Sequence, residues 1–313
     1  MPAGPRARAS ARARAQLTPG VMSPSTREGP TTRASASIPR DAEVRRRAGR
    51  VGAMSSDEIA ELDGARFAWW SDGDGPALVL VHAGVADARM WEPLLPALAA
   101  SHRVIRYDMR GFGRTRSQRG TFAPARDLAQ LLDAVGVAQA HVVGASFGGL
   151  VALELAVTEP ARVASLVLLA PALPDIEPSP QLLAFAEAEE QAIAVGRIDD
   201  AVEINVRMWA SASTPETRSL VAEMQRTAFE LQLREDAEFE DLEPPVSERL
   251  STIGAPTTIA VGDRDVRDFV EIAQRLQREL PHATLQRIAD AGHLLALDQP
   301  AAAAELILRH VAR

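Results

Sequence analysis

From residue 65 onward the chain alternates short β-rich apolar runs with amphipathic stretches of helical length. That rhythm is the signature of parallel βαβ units, with helices covering both faces of one sheet. Strands are expected at 65–70, 77–82, 103–108, 141–144 and 164–170, and helices at 91–100, 123–135 and 147–157. The 77–82 run is apolar almost throughout, as a central strand buried on both faces must be. The rhythm then stops for about eighty residues. Between 174 and 250 only helix-like segments occur, one of them opened by Thr214-Pro215-Glu216, a cap followed by a proline in the first turn. It resumes with a strand at 257–261, a helix at 270–280, a strand at 283–288 and a helix at 301–311. The expected fold class is therefore α/β, a doubly wound and mostly parallel sheet, with a helical cap inserted at about 174–250 of a domain spanning 54–313. An insertion that late in the sheet would lie over the carboxyl ends of the strands, where ligands bind in such folds.

Charge and cysteine content narrow the functional classes. The net charge of −8 lacks the basic footprint of a nucleic-acid binder. No stretch reaches the ~18–20 apolar residues of a membrane span, so no membrane partner is expected. Cysteine is absent, which removes disulfides, thiol nucleophiles and thiolate metal sites and fits a cytoplasmic setting. All 34 basic residues are arginine. Eleven of them fall within residues 1–53 against three acids, in a segment rich in Ala, Ser and Pro with no apolar periodicity. Such a segment is expected to be a disordered extension, or sequence upstream of the true start at Met54; a transit-type leader is the competing reading. Residues 54–313 then carry a net of −16, and the 174–250 insertion alone holds eighteen acids against six arginines. If those charges face the entrance to a site, they disfavour anionic substrates; the alternative is a solvated outer face.

The strongest local motif is Gly144-Ala145-Ser146-Phe147-Gly148-Gly149, with the run His141-Val142-Val143 before it and a helix after it. Strand, tight turn and helix are the context in which G-x-S-x-G becomes a nucleophile elbow. The competing reading is a glycine-rich turn with an ordinary capping serine. A nucleophilic serine needs a base. His293, in Asp290-Ala291-Gly292-His293, directly follows an expected strand, so its loop can reach over the sheet end. His102, His141, His282 and His310 sit at element edges, where solvated or packed imidazoles are ordinary. An orienting acid is sought in Val261-Gly262-Asp263-Arg264-Asp265. Asp263 suits the turn's own N–H groups, and Asp268 suits the first turn of the next helix. Asp265 lies on the loop itself and is the favoured choice, with Asp175 a distant alternative. The spacing of Asp263, Asp265 and Asp268 matches no calcium loop, and no metal or cofactor is expected.

In this Ser, Asp, His order the sequence resembles the α/β-hydrolase family across residues 65–313. The resemblance implies Ser146 as nucleophile, His293 as base and Asp265 as its orienting acid. Val81-His82-Ala83-Gly84-Val85 resembles the family's histidine–glycine oxyanion loop, which implies the backbone N–H groups of Gly84 and Phe147 as the oxyanion hole. The family usually has glycine directly after that histidine, and Ala83 stands there instead; His82 is read as a structural pin, not a base. Tyr107-Asp108-Met109-Arg110-Gly111-Phe112-Gly113 resembles the family's structural D-x-R-G-x-G segment. A serine at the elbow argues against haloalkane dehalogenases and epoxide hydrolases, which use aspartate there. The implied activity is hydrolysis of a small ester or lactone through an acyl-enzyme. Alternatives on the same fold are a cofactor-free haloperoxidase or perhydrolase, a carbon–carbon bond hydrolase, or a slow-turnover receptor. Met208 and Trp209, on a cap helix, are candidates for lining the acyl pocket, with packing between cap helices as the competing role. The expected partner is a small-molecule acyl substrate, and a homo-oligomer is compatible with the sequence.

Overall fold

The computed structural model describes residues 58–312 apart from 119 and 236; the expectations for 1–53 and for the start at Met54 fall outside the described residues. Eight strands form the main sheet: β1 (Glu58–Leu62), β2 (Ala65–Asp72), β3 (Ala77–Val81), β4 (Arg103–Tyr107), β5 (Ala140–Ala145), β6 (Val163–Leu169), β7 (Thr257–Gly262) and β8 (Ala283–Ile288). Their spatial order is β1-β2-β4-β3-β5-β6-β7-β8, with a two-residue strand, Arg116–Ser117, added beside β2. β1 and β2 run antiparallel to each other, β2 runs antiparallel to β4, and all other neighbours in this order are parallel.

Hydrophobic pattern explains which strands sit where. β3, β5 and β6 are buried along nearly their whole length, because helices cover both faces of the sheet centre. β8 at the edge is only partly covered. The longer helices are α1 (Pro124–Ala134), α2 (Phe147–Thr158), α3 (Pro180–Ala194), α4 (Ile198–Trp209), α5 (Pro215–Glu235), α6 (Arg267–Glu279) and α7 (Pro300–Val311). α2 is apolar nearly all round and buried to match. α6 buries Phe269, Ile272, Ala273 and Leu276, the i, i+3, i+4, i+7 stripe of an amphipathic helix. α3, α4 and α5 follow one another between β6 and β7, within the 174–250 insertion.

Three local expectations are corrected. Strand β1 precedes the first one expected; only Ala60 of its five residues is buried, so it carries little apolar signal. The helix expected at 91–100 is a 3-10 helix, Ala88–Leu94, followed by the single turn Leu95–Leu98. Pro93 and Pro96 remove the amide donors a continuous α-helix would use there. A three-residue strand, Ala237–Phe239, lies in the insertion and pairs in parallel with Gly120–Phe122. It is too short to show a period of two.

The sheet order sets the site. The chain leaves β3 for β4 on one side, then returns to place β5 on the other side of β3. The crevice beyond the carboxyl ends of β3 and β5 is thus a topological switch point, where ligands bind in open α/β sheets.

Candidate active site

Ser146 is the first residue after β5 and the N-cap of α2. Its backbone is left-handed, φ 51° and ψ −116°. That conformation is over-determined: Ser146 N donates to Leu169 O at 2.9 Å, and Ser146 O accepts from Gly149 N at 2.8 Å and Ala172 N at 2.9 Å. The turn requires Gly148, since a Cβ there would stand 2.2 Å from Val81 O. The side chain is thereby lifted clear of the sheet, with the positive end of α2 beneath it.

His293 and Asp265 meet this serine from the two strands on the far side of the sheet. Asp265 follows β7 and His293 follows β8. Their loops are laced together by Asp263 N to Ile288 O at 3.1 Å and Arg264 N to Ala291 O at 3.0 Å. Gly262 allows the crossing, because a Cβ there would lie 2.2 Å from Ala291 O. His293 Nε2 is 2.9 Å from Ser146 Oγ, and His293 Nδ1 is 3.1 and 3.3 Å from the two Asp265 carboxylate oxygens. Asp265 Oδ1 also accepts from Val266 N at 2.7 Å. The Asp265 side chain is wholly buried and that of His293 nearly so. An imidazole whose Nδ1–H donates to a carboxylate presents a lone pair at Nε2. Nε2 is then placed to accept the serine proton.

The competing acids lie elsewhere. Asp263 is exposed. Asp268, in the first turn of α6, accepts from Ser179 N at 2.7 Å and Ser179 Oγ at 2.6 Å, tying the start of α3 to α6. Asp175 accepts from Ser247 Oγ at 2.6 Å. Among the described residues no cluster of His, Cys, Asp or Glu could hold a metal ion.

A narrow cleft opens on the pair, lined by Gly84, Val85, Ser146, Phe147, Trp209 and His293, with Phe185, Glu189, Asn205 and Phe269 further along it. Its cavity volume is about 30 Å³ and it opens to solvent, so the cleft is tight. Gly84 and Phe147 flank the serine, and neither N–H meets a backbone acceptor among the described residues. His82 is fully buried behind them. Its Nδ1 donates to Ala83 O at 2.8 Å, and its Nε2 accepts from Met109 N at 3.0 Å. Burial lowers its pKa to about 4, so it stays neutral. It joins the loop after β3 to the segment after β4, as a pin does. In that segment the Asp108 carboxylate accepts from Ala88 N at 2.8 Å and Arg114 N at 2.6 Å, and Arg110 pairs with Asp127 at 2.7 and 2.8 Å. These residues brace the loop.

Of the two cap residues singled out by sequence, Trp209 lines the cleft and Met208 does not. The Trp209 ring lies 4.6 Å from that of His293, and Phe269 approaches the imidazole at 4.2 Å from another side. Met208 is one residue earlier on α4, so it points about 100° away. Its sulfur meets the Gln181 side chain at 3.7 Å. The acidity of the insertion is mainly an outer-face property: among its described acids only Glu189 and Glu235 are buried, and only Glu189 lines the cleft.

Sequence reasoning missed Glu189, Asn205 and Asp298. Glu189 sits on the stripe Leu182, Phe185, Glu189, Ile193 and Asn205 on the stripe Ala201, Asn205, Trp209, so a polar residue on a buried helical face was the available signal. Asp298 accepts from Gly292 N at 2.8 Å and from Ser213 Oγ, clamping the backbone just before His293. Nothing in its local sequence marks that role.

The model of the alpha/beta hydrolase family matches residues 78–306. The 3-oxoadipate enol-lactonase 1 of Acinetobacter baylyi is 28% identical over 236 residues, 72% of this chain and 85% of that protein. RutD of Variovorax paradoxus, which carries the name of a carbamate hydrolase, is 48% identical over 100 residues, 30% of this chain. The chain spans 38% and 36% of the lengths of that protein and of its counterpart from Azorhizobium caulinodans. A crystal structure of a hydrolase from Pseudomonas aeruginosa superposes with a TM-score of 0.68 at 24% identity, covering 82% of this chain and 98% of that one.

Proposed function

This chain belongs to the alpha/beta hydrolase family, and from that premise we propose that it is a serine hydrolase cleaving a small ester or lactone through an acyl-enzyme. The observation that carries the reading is the Ser146 Oγ–His293 Nε2 contact of 2.9 Å, continued from His293 Nδ1 to Asp265 at 3.1 Å. In the proposed reaction His293 Nε2 takes the Ser146 proton as Oγ attacks the acyl carbonyl. Asp265 holds the tautomer and stabilises the imidazolium. The oxyanion receives the N–H groups of Gly84 and Phe147, each such donor being worth about 3–4 kcal/mol of barrier lowering. The imidazolium then protonates the leaving alcohol. Water, deprotonated by His293, releases the acid from Ser146.

The narrowness of the cleft favours a small substrate, and the relatives include an enol-lactonase and a protein named as a carbamate hydrolase. We read residues 174–250 as a cap whose Trp209 shields the imidazole from water. No helix among the described residues is long and apolar enough to cross a membrane, and we take the setting to be cytoplasmic.

The test is labelling by a fluorophosphonate together with turnover of short p-nitrophenyl esters. Both are expected in the native protein and neither in Ser146→Ala. Turnover surviving in Ser146→Ala would overturn the assignment, and labelling without turnover of any ester or lactone would favour a ligand-binding receptor.

A further inference from the structure

The catalytic relay leaves one ionisable group in the cleft without a task. Glu189 on α3 is 5% exposed, and Asn205 faces it from α4. Asn205 Nδ2 commits both its hydrogens, one to Glu189 Oε1 at 2.5 Å and one to Ala201 O at 2.9 Å. The remaining polar atoms, Glu189 Oε2 and Asn205 Oδ1, are acceptors. Neither has a donor among the described residues, and both residues line the cleft that holds Ser146 and His293. No arginine lines the cleft, and the chain has no lysine.

A buried carboxylate answered by one neutral amide is costly. Burial accordingly pushes the Glu189 carboxyl up to about 7. As a purely structural device the pair is a poor choice, since apolar side chains of similar volume generally replace buried polar pairs without loss. A ligand that brings a hydrogen-bond donor, above all a positively charged one, satisfies both free acceptors. A ligand that brings a carboxylate meets like charge and no donor but a protonated Glu189.

We propose that Glu189 and Asn205 form a substrate-selecting subsite that receives an amino or hydroxyl group carried by the small acyl substrate at Ser146, prefers the ammonium, and rejects carboxylates. The inference names the substrate class of the serine-hydrolase reading and so rests on it.

Binding to the Ser146→Ala protein tests the subsite without turnover. Isothermal calorimetry would compare methyl butanoate with its 4-amino, 4-hydroxy and 4-carboxy analogues. The amino ester is expected to bind about tenfold or more tightly than methyl butanoate, the hydroxy ester in between and the carboxy ester most weakly. Adding Glu189→Gln, which keeps the shape and the acceptor for Asn205 Nδ2 but turns the free oxygen into an amide donor, should abolish the amino advantage and retain the hydroxy one, since a hydroxyl also accepts; Glu189→Leu combined with Asn205→Leu should abolish both. A merely structural Glu189 would alter all four ligands alike. The proposal is overturned if the native cleft binds the plain or carboxy ester best, if it binds none of the four, or if the ratios survive Glu189→Gln. The native order of the four ligands decides the matter even where a variant fails to fold. Fluorophosphonate labelling of Ser146 is scored separately, so a failed subsite and a failed hydrolase reading give different results.

Discussion

Ser146 stores backbone strain, and its size can be read by comparing two dead proteins. At φ 51° and ψ −116° a side chain crowds its own backbone, at a cost of about 1–3 kcal/mol when surrounding bonds enforce the conformation. Those bonds run to Leu169, Gly149 and Ala172. Ser146→Ala and Ser146→Gly both remove the hydroxyl and its contact with His293, so that loss cancels between them. Alanine keeps the strained Cβ. Glycine loses it, but adds about 0.5–1 kcal/mol of entropy to the unfolded chain. We therefore predict that the glycine protein is the more stable by about 1 kcal/mol, or roughly 2–4 °C in Tm. At an ordinary helix position the order is reversed by a similar amount. Equilibrium urea unfolding followed by tryptophan fluorescence and circular dichroism measures the difference, with both proteins expected inactive. An alanine protein as stable as the glycine protein, or more so, refutes stored strain at the elbow.

Three further outcomes are expected. Asp265→Asn should lower kcat by about 10⁴-fold with little change in KM, because His293 loses its tautomer; a fall of less than tenfold in steady-state assays would remove Asp265 from the relay. Asp298→Ala should cost about 2 kcal/mol of stability through the lost charge-assisted bonds and lower kcat more than KM, since Gly292 and the Ser213 hydroxyl lose their common acceptor; unchanged kcat in a folded variant would show that the clamp does not position His293. For His82 the folded pKa of about 4 lies below the ordinary 6.5, so its contribution is present above pH 6.5 and is lost as pH falls toward 4. That loss is about 3 kcal/mol, while the buried Asp108 and Glu189, raised to about 7, act with the opposite sign. The native-minus-His82→Gln difference in unfolding free energy isolates the histidine, and a difference flat between pH 6.5 and 4 would exclude the assigned neutral pin.

The catalytic candidates were legible because their chemistry depends on local form. A serine between a buried strand and a helix, with glycine where a Cβ would strike Val81, is written in six consecutive residues. His293 and Asp265 were legible because each lies on the loop that follows a strand. The cleft was not. Glu189 and Asn205 belong to different helices, and their meeting depends on how α3 and α4 pack, which no local pattern specifies. Trp209 was a candidate on sequence, but only packing separates it from Met208 beside it.

What the sequence determined by itself was the alternation that builds the sheet, the elbow, and the order of Ser146, Asp265 and His293 along the chain. Each is encoded within one strand and its following loop, where backbone sterics and hydrophobic period act over a few residues. Tertiary structure alone decided that the elbow stands at the switch point between β3 and β5, and that Trp209 and Phe269 enclose the imidazole. It also decided that, of the described acids in a strongly acidic insertion, only Glu189 enters the cleft. Those outcomes depend on which surfaces bury one another across the fold, and burial is settled by the packing of the whole chain.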